Sequence, residues 1–147
     1  MIVKIKKTNP KAVVPFKTYD KDFCYDCIAT SCEEIAPHVY KYGIGLAFEI
    51  FRESKYSNLN VSLDFRPRSS VWETGMILSN CEGTVDELYR GEVSAVFYHV
   101  LPYMPKYKVG DKIVQFKIGL TEPITFVEVD TLSDTERGTG SYGSTGK

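Results

Sequence analysis

The chain has 147 residues, 43% of them hydrophobic, and 18 basic against 19 acidic side chains leave a formal charge of −1. A single domain of this size buries its own core, and the near-neutral charge provides no field to draw it to nucleic acid or to an anionic membrane. No apolar run approaches the roughly 20 residues of a membrane span, and the opening MIVKIKKTNP lacks the apolar stretch of a secretion signal, so the expected location is the cytoplasm.

That opening alternates Ile2, Val3 and Ile5 with lysines and reads as a first strand. The segment CYDC follows, in a chain with four cysteines: Cys24, Cys27, Cys32 and Cys81. A CxxC pair raises the question of zinc. No second pair follows, His38 and His99 stand alone, and strand parity would send Cys24 and Cys27 to opposite faces. Buried, reduced thiols are the better reading.

Further on, GLAFEIF, SLDFRP, GMILSN, EVSAVFYHV, KIVQFKIG and ITFVEV have the length and β-rich composition of strands, with glycine and proline between them. One short helix fits Ser69–Thr74. Many short strands without alternating helices indicate an all-β fold, a jelly-roll-like β-barrel or sandwich. The β domain is expected over residues 1–130. Residues 131–147, DTLSDTERGTGSYGSTGK less its first residue, are rich in Gly, Ser and Thr and read as a mobile C-terminal arm. Its YGSTGK ending is not a phosphate-binding P-loop, because Ser141 stands where that motif needs glycine and no helix can follow.

Polar constellations punctuate these strands. RPRSS places Arg68 beside Ser69 and Ser70 in a turn, a common way to grip phosphate. In NCEGTVDELYRGE, Asn80 and Gly83 suggest a hairpin mouth, with Asp86 just after the apolar Val85. GDKIVQF carries Gln115 in a strand, and the arm offers Arg137, glycine N–H groups and hydroxyls. Taken singly, each has a bland explanation: a solvated Arg-Ser pair, an Asp capping a turn, a surface Gln.

Their order is informative. CYDCIA, PRSS, NxxGTVDxxYRGE, GDKIVQF and RGTGSYGSTG, read along the chain, resemble the five motifs of the trimeric dUTPase family. The resemblance implies homotrimers of jelly-roll-like subunits, active sites between subunits that the C-terminal arm closes, and Mg²⁺-dependent conversion of dUTP to dUMP and pyrophosphate. It implies that Asp86 activates the attacking water. Asn80, Gly83, Thr84 and Val85 would hold the base, and Tyr89 would lie under the deoxyribose. Arg68, Ser69, Ser70 and Gln115 would bind phosphates. Asp26 would hold Mg²⁺ through water, the metal being carried mainly by the triphosphate. Arg137, Gly143, Ser144 and Thr145 would close on the γ-phosphate, and Tyr142 would stack on uracil where the family usually has Phe. The chain departs from the family pattern at Cys24 and Ser70, where glycine is usual, and at Leu88, Val109 and Ser141.

Two alternatives stand beside this reading. One is a dCTP deaminase, alone or bifunctional, on the same fold; Glu73 and Val96 occupy positions where that family has Arg and Glu. The other is a non-catalytic, dUTP-binding regulatory trimer.

Overall fold

A computed structural model describes residues 1–52 and 58–141; Tyr142, Gly143, Ser144 and Thr145 of the arm lie outside the described residues, as does part of the Phe51–Leu63 segment. The elements are β1 (Ile2–Lys7), β2 (Tyr25–Ile28), β3 (Glu33–Ala36), β4 (Val39–Gly43), β5 (Leu46–Phe51), β6 (Asn60–Pro67), a 3₁₀ helix (Ser69–Thr74), β7 (Met76–Leu78), β8 (Gly83–Asp86), β9 (Ser94–His99) and β10 (Lys112–Thr121). The expected all-β sandwich is what forms, and the one short helix falls where the sequence suggests it.

Two four-stranded sheets face one another, a front sheet in the order β2-β10-β6-β8 and a back sheet in the order β3-β4-β9-β7, with β1 and β5 forming a separate ribbon. Between them, Tyr42, Phe97, Leu63, Ile113 and Val114 are essentially free of solvent. The aromatic rings supply much of this core: Phe65 lies 5.0 Å from Phe116, and Tyr42 meets Phe97 edge-on at 5.9 Å. Alternation builds the front sheet. Val61, Leu63 and Phe65 of β6 point inward, while Ser62, Asp64 and Arg66 point outward.

Two features differ from the sequence reading. Ile124–Val129 is not a strand: Ile124, Phe126, Val127 and Val129 are exposed, Phe126 at 89%, and no ladder reaches them among the described residues. Alternation and composition suit a strand, but a strand also needs an edge to pair with, and β10 ends at Thr121, just before Pro123, which has no N–H to continue a ladder. The Asn80–Gly83 turn is likewise not a hairpin mouth. β7 pairs with β9 in the back sheet and β8 pairs with β6 in the front sheet, so the turn crosses between layers. Cys81 takes a left-handed φ of 57° to make that crossing.

The outward face of β6 and β10 carries a partly buried ionic cluster. Lys117 donates to Asp64 at 2.6 Å, and the Ser62 hydroxyl donates to the same carboxylate at 2.7 Å. Gly119 makes room for it, since a Cβ there would lie 2.4 Å from an Asp64 oxygen. Burial alone would raise the Asp64 carboxyl, but the hydrogen bonds from Lys117 and Ser62, with the charges of Lys117 and Arg66, outweigh it and hold the carboxyl below the usual aspartate range. A carboxyl held down by folding contributes stability above the ordinary aspartate pKa and loses it as pH falls through its lowered folded value. Asp64→Asn is therefore expected to be most destabilising at pH 7 and progressively less so below about pH 4. Urea midpoints of both proteins at neutral and acid pH check this; a gap that does not narrow in acid contradicts it.

Gly75 ends the 3₁₀ helix at φ 61°, and a Cβ on it would lie 2.8 Å from both Cβ and the carbonyl oxygen of Leu101. Left-handed backbone and overpacking together should make Gly75→Ala destabilising by about 2–4 kcal/mol. Denaturant unfolding measures it.

Candidate active site

The front sheet positions most of the sequence-predicted site. Residues directly opposite in an antiparallel ladder share a face. Asp26 of β2 lies opposite Gln115 of β10, which lies opposite Arg66 of β6; Thr84 and Asp86 of β8 lie opposite Asp64 and Ser62. Asp26, Gln115, Thr84 and Asp86 therefore all face outward from one sheet.

They form two clusters on that face. The first is built round Asp26, whose carboxylate is 12% exposed and takes Arg68 Nε and Lys112 Nζ, each at 2.9 Å. Pro67 holds the chain extended into Arg68, which adopts φ −77° and ψ 157° as the residue that opens the 3₁₀ helix. Ser69 and Ser70 form its first turn. Gln115 donates from Nε2 to the Pro67 carbonyl at 3.2 Å and secures the same loop. One carboxylate thus orients two cations, while Ser69 remains exposed beside them.

Lys112 was not among the residues singled out in the sequence. It stands three positions from Gln115, and strict alternation would put it on the opposite face. A β-bulge intervenes: the ladder shifts between Lys112 and Val114, and Ile113 and Val114 are both buried. The extra residue returns Lys112 to the outer face, where it meets Asp26.

The second cluster surrounds β8. Thr84, Val85, Asp86 and Tyr89 line a cavity of about 210 Å³ with Glu92, Val93 and Ser94. Asn80 and Gly83 line an adjoining cavity of about 130 Å³ that shares Val93 and Ser94. Gly83 has a local reason: the Asn80 amide nitrogen would lie 3.3 Å from any Cβ there. So does Gly91, where a Cβ would lie 2.4 Å from the Tyr89 hydroxyl, so that ring folds over bare backbone. The Tyr89 N–H donates to the Asp86 carbonyl at 3.0 Å and its hydroxyl to the Glu92 carbonyl at 3.1 Å. Asp86 itself is exposed. β8 is the terminal strand of its sheet, so half of its backbone groups point away from β6 and can pair with the edge of a flat ligand.

The two clusters do not meet within one chain. Asp86 and Asp26 lie on opposite edges of the sheet, three strand spacings and four residues of β10 apart. That is roughly 14 Å across and 13 Å along, on the order of 20 Å in all. Arg137 joins neither cluster: its Nε donates to the Gly140 carbonyl at 3.1 Å, within its own turn.

No family model matches the chain. Over its full length it is 34% identical to the deoxyuridine 5'-triphosphate nucleotidohydrolase of Nautilia profundicola, with 100% of both chains covered. It is 33% identical to the protein of the same name from Helicobacter pylori, across 99% of this chain and 97% of that one. The chain belongs to the dUTPase family. Among solved structures, the fold is similar to that of a dUTPase of Staphylococcus bacteriophage 80alpha with dUpNHpp, at a TM-score of 0.78, 18% identity and 99% coverage of each chain. It is also similar to the dUTPase of phage phi11 of S. aureus, described with a structural Mg(II) ion, at a TM-score of 0.63 and 16% identity over 92% of this chain and 99% of that one.

The departures from the dUTPase pattern at Cys24 and Ser70 are accommodated. Among the described residues only His38 and Cys81 are non-glycine residues with positive φ, so neither replacement occupies a backbone conformation that demands glycine. Cys27 is buried in the core, but Cys24 is only half-buried and Cys32 and Cys81 are exposed, so the expectation of buried thiols holds for Cys27 alone.

Asp26→Ala should leave Arg68 and Lys112 facing each other without a counter-charge. Because both cations are about a third exposed, the expected loss is about 1–3 kcal/mol rather than the roughly 3–5 of a fully buried pair. Lys112→Met should cost less. Urea unfolding of the two variants tests the order, and a larger loss for Lys112→Met would refute it.

Proposed function

We propose that this chain hydrolyses dUTP to dUMP and pyrophosphate, with Asp86 as the general base. The observation that carries the reading is the full-length match to deoxyuridine 5'-triphosphate nucleotidohydrolases. It is supported by Asp86 lining one cavity with Thr84, Val85 and Tyr89. The Asp86 carboxylate takes a proton from water as the water oxygen bonds to the α-phosphorus. The bond from that phosphorus to its bridging oxygen then breaks, and pyrophosphate leaves. The outer edge of β8 offers N–H and C=O groups to the base, supported by Asn80 and Gly83. A uracil edge matches one such pair, while cytosine presents the reverse pattern and leaves buried groups unpaired. Tyr89 packs under the sugar. Arg68, Ser69, Ser70 and Gln115 bind the phosphates.

The separation of the clusters supports a homotrimer with sites between subunits. If Asp86 and Arg68 serve one nucleotide, one of them comes from a neighbouring copy. The exposed apolar run from Ile124 to Val129 suits a segment that leaves its own subunit and carries residues 131–147, with Arg137, over the site. Tyr142, Gly143, Ser144 and Thr145 complete that arm.

Among the described residues no three His, Cys, Asp or Glu side chains are grouped to cage a metal. Both Asp26 oxygens meet cations that oppose a dication at the carboxylate, so Mg²⁺ would stay behind its own water there and take its charge compensation and other ligands from phosphate. When bound, Mg²⁺ would neutralise phosphate charge; Asp26 would orient one of its waters. The role of such an enzyme is to keep uracil out of DNA by clearing dUTP from the cytoplasmic nucleotide pool.

Incubation with Mg²⁺ and dUTP, dCTP, UTP or dTTP, following pyrophosphate and ammonia, tests the reading. Pyrophosphate from dUTP alone is expected; ammonia from dCTP, or tight dUTP binding without turnover, overturns it. Asp86→Asn should lower kcat by about 10²–10⁴ while binding of dUpNHpp stays within about threefold. Truncation before Arg137 should leave a folded protein of unchanged oligomeric state with kcat/KM reduced at least about tenfold, as loss of charge-assisted contacts requires. Full turnover by either variant would remove that residue or arm from the site.

A further inference from the structure

Tyr107 lies in the connection between β9 and β10 and is 6% exposed. Its ring meets Phe97 edge-on at 5.4 Å and Tyr42 at 6.3 Å. The Tyr42 hydroxyl donates to its carbonyl at 2.8 Å, and its own N–H reaches the Met76 sulfur at 3.5 Å. Ring and backbone are both pinned, so the hydroxyl has a fixed position. That hydroxyl is fully buried and has no hydrogen-bond partner among the described residues. A buried, unpaired hydroxyl is destabilising, and phenylalanine would fill the same space without that cost.

The surroundings of the hydroxyl point to the phosphate loop. Burial holds the phenol above the usual tyrosine range, Arg68 pulls it down, and Asp111 and Glu73 push it up, so it stays protonated and can both donate and accept. Arg68 opens the 3₁₀ helix, and Glu73 lies within it. The end of that helix rests on the same connection as Tyr107, with Gly75 against Leu101 and Met104. Arg68 commits Nε to Asp26, and a guanidinium has further N–H donors.

We propose that Tyr107 is a positioning residue for the triphosphate: its hydroxyl accepts one of the Arg68 N–H groups that Asp26 does not use once phosphates are bound, and so holds Arg68 in its phosphate-binding pose. The proposal rests on the dUTP reading above and extends it to a residue that touches no substrate. The orphan hydroxyl gains its partner only in the liganded protein, which couples phosphate binding to order in the Arg68 loop.

Tyr107→Phe removes the hydroxyl and little else. In the full chain, its urea midpoint without ligand is expected to equal or exceed that of the unsubstituted protein. With Mg²⁺, its Kd for dUpNHpp should rise about five- to tenfold, as loss of one hydrogen bond implies, and the loss in kcat/KM should fall on KM. Binding of deoxyuridine, which has no phosphate, should not change. A lower midpoint for Tyr107→Phe would show the hydroxyl already satisfied without ligand and would overturn the proposal, as would unchanged dUpNHpp binding. Turnover of dUTP by the unsubstituted protein separates the two ideas. Turnover with unchanged dUpNHpp binding by Tyr107→Phe sinks the Tyr107 role alone, whereas no turnover sinks the functional reading and this proposal with it.

Discussion

The carboxylate of Asp26, holding Arg68 on one side and Lys112 on the other, ties together three segments that are remote in sequence. β2 supplies the anion, the turn after β6 supplies one cation, and the start of β10 supplies the other. None of the three would be well placed alone. A long Arg or Lys side chain at the surface loses rotamer freedom when fixed, and a solvated ion pair returns little for it. Here the anion is mostly withdrawn from water, so attraction is less screened and the geometry is held. A guanidinium already oriented before any ligand arrives lowers the cost of binding one.

The same sheet explains why the candidate site is both extended and incomplete. Alternation puts Asp26, Gln115, Thr84 and Asp86 on one face, but the strand order places β2 and β8 at opposite edges. A flat array can present groups over a broad surface; it cannot fold them round a small molecule. Convergence on one nucleotide requires a second surface, and the free edge of β8 and the exposed apolar segment after β10 are the parts of the fold left to form it.

Much of this was legible in the sequence where local rules decide the outcome. The alternation of β1 and β6, the punctuation by glycine and proline, and the 3₁₀ turn after Pro67 follow from parity and backbone geometry. The expectation that Asp86 is more than a turn cap rests on the order of motifs, since nothing in its immediate neighbourhood distinguishes it. Where the reading failed, a partner decided. Ile124–Val129 has the pattern of a strand but pairs with no edge among the described residues, and Asn80–Gly83 has the residues of a hairpin turn but connects two sheets. Lys112 was hidden because a bulge shifts parity without any glycine or proline to mark it. Tyr107 resembles any core aromatic in sequence; only a buried hydroxyl with no partner among the described residues sets it apart.

The bulge at Ile113 and Val114 lets the start of β10 send two neighbouring side chains into the core while Lys112 keeps the outer face. Both side chains enter the core, so exchanges among apolar residues of similar volume preserve the packing. Deleting one of them would give a regular ladder in which Lys112 stands two positions before Gln115, still on the outer face beside Asp26. What the deletion would remove is a buried side chain and not the charge arrangement, so shortening the strand here would cost what emptying a core position costs.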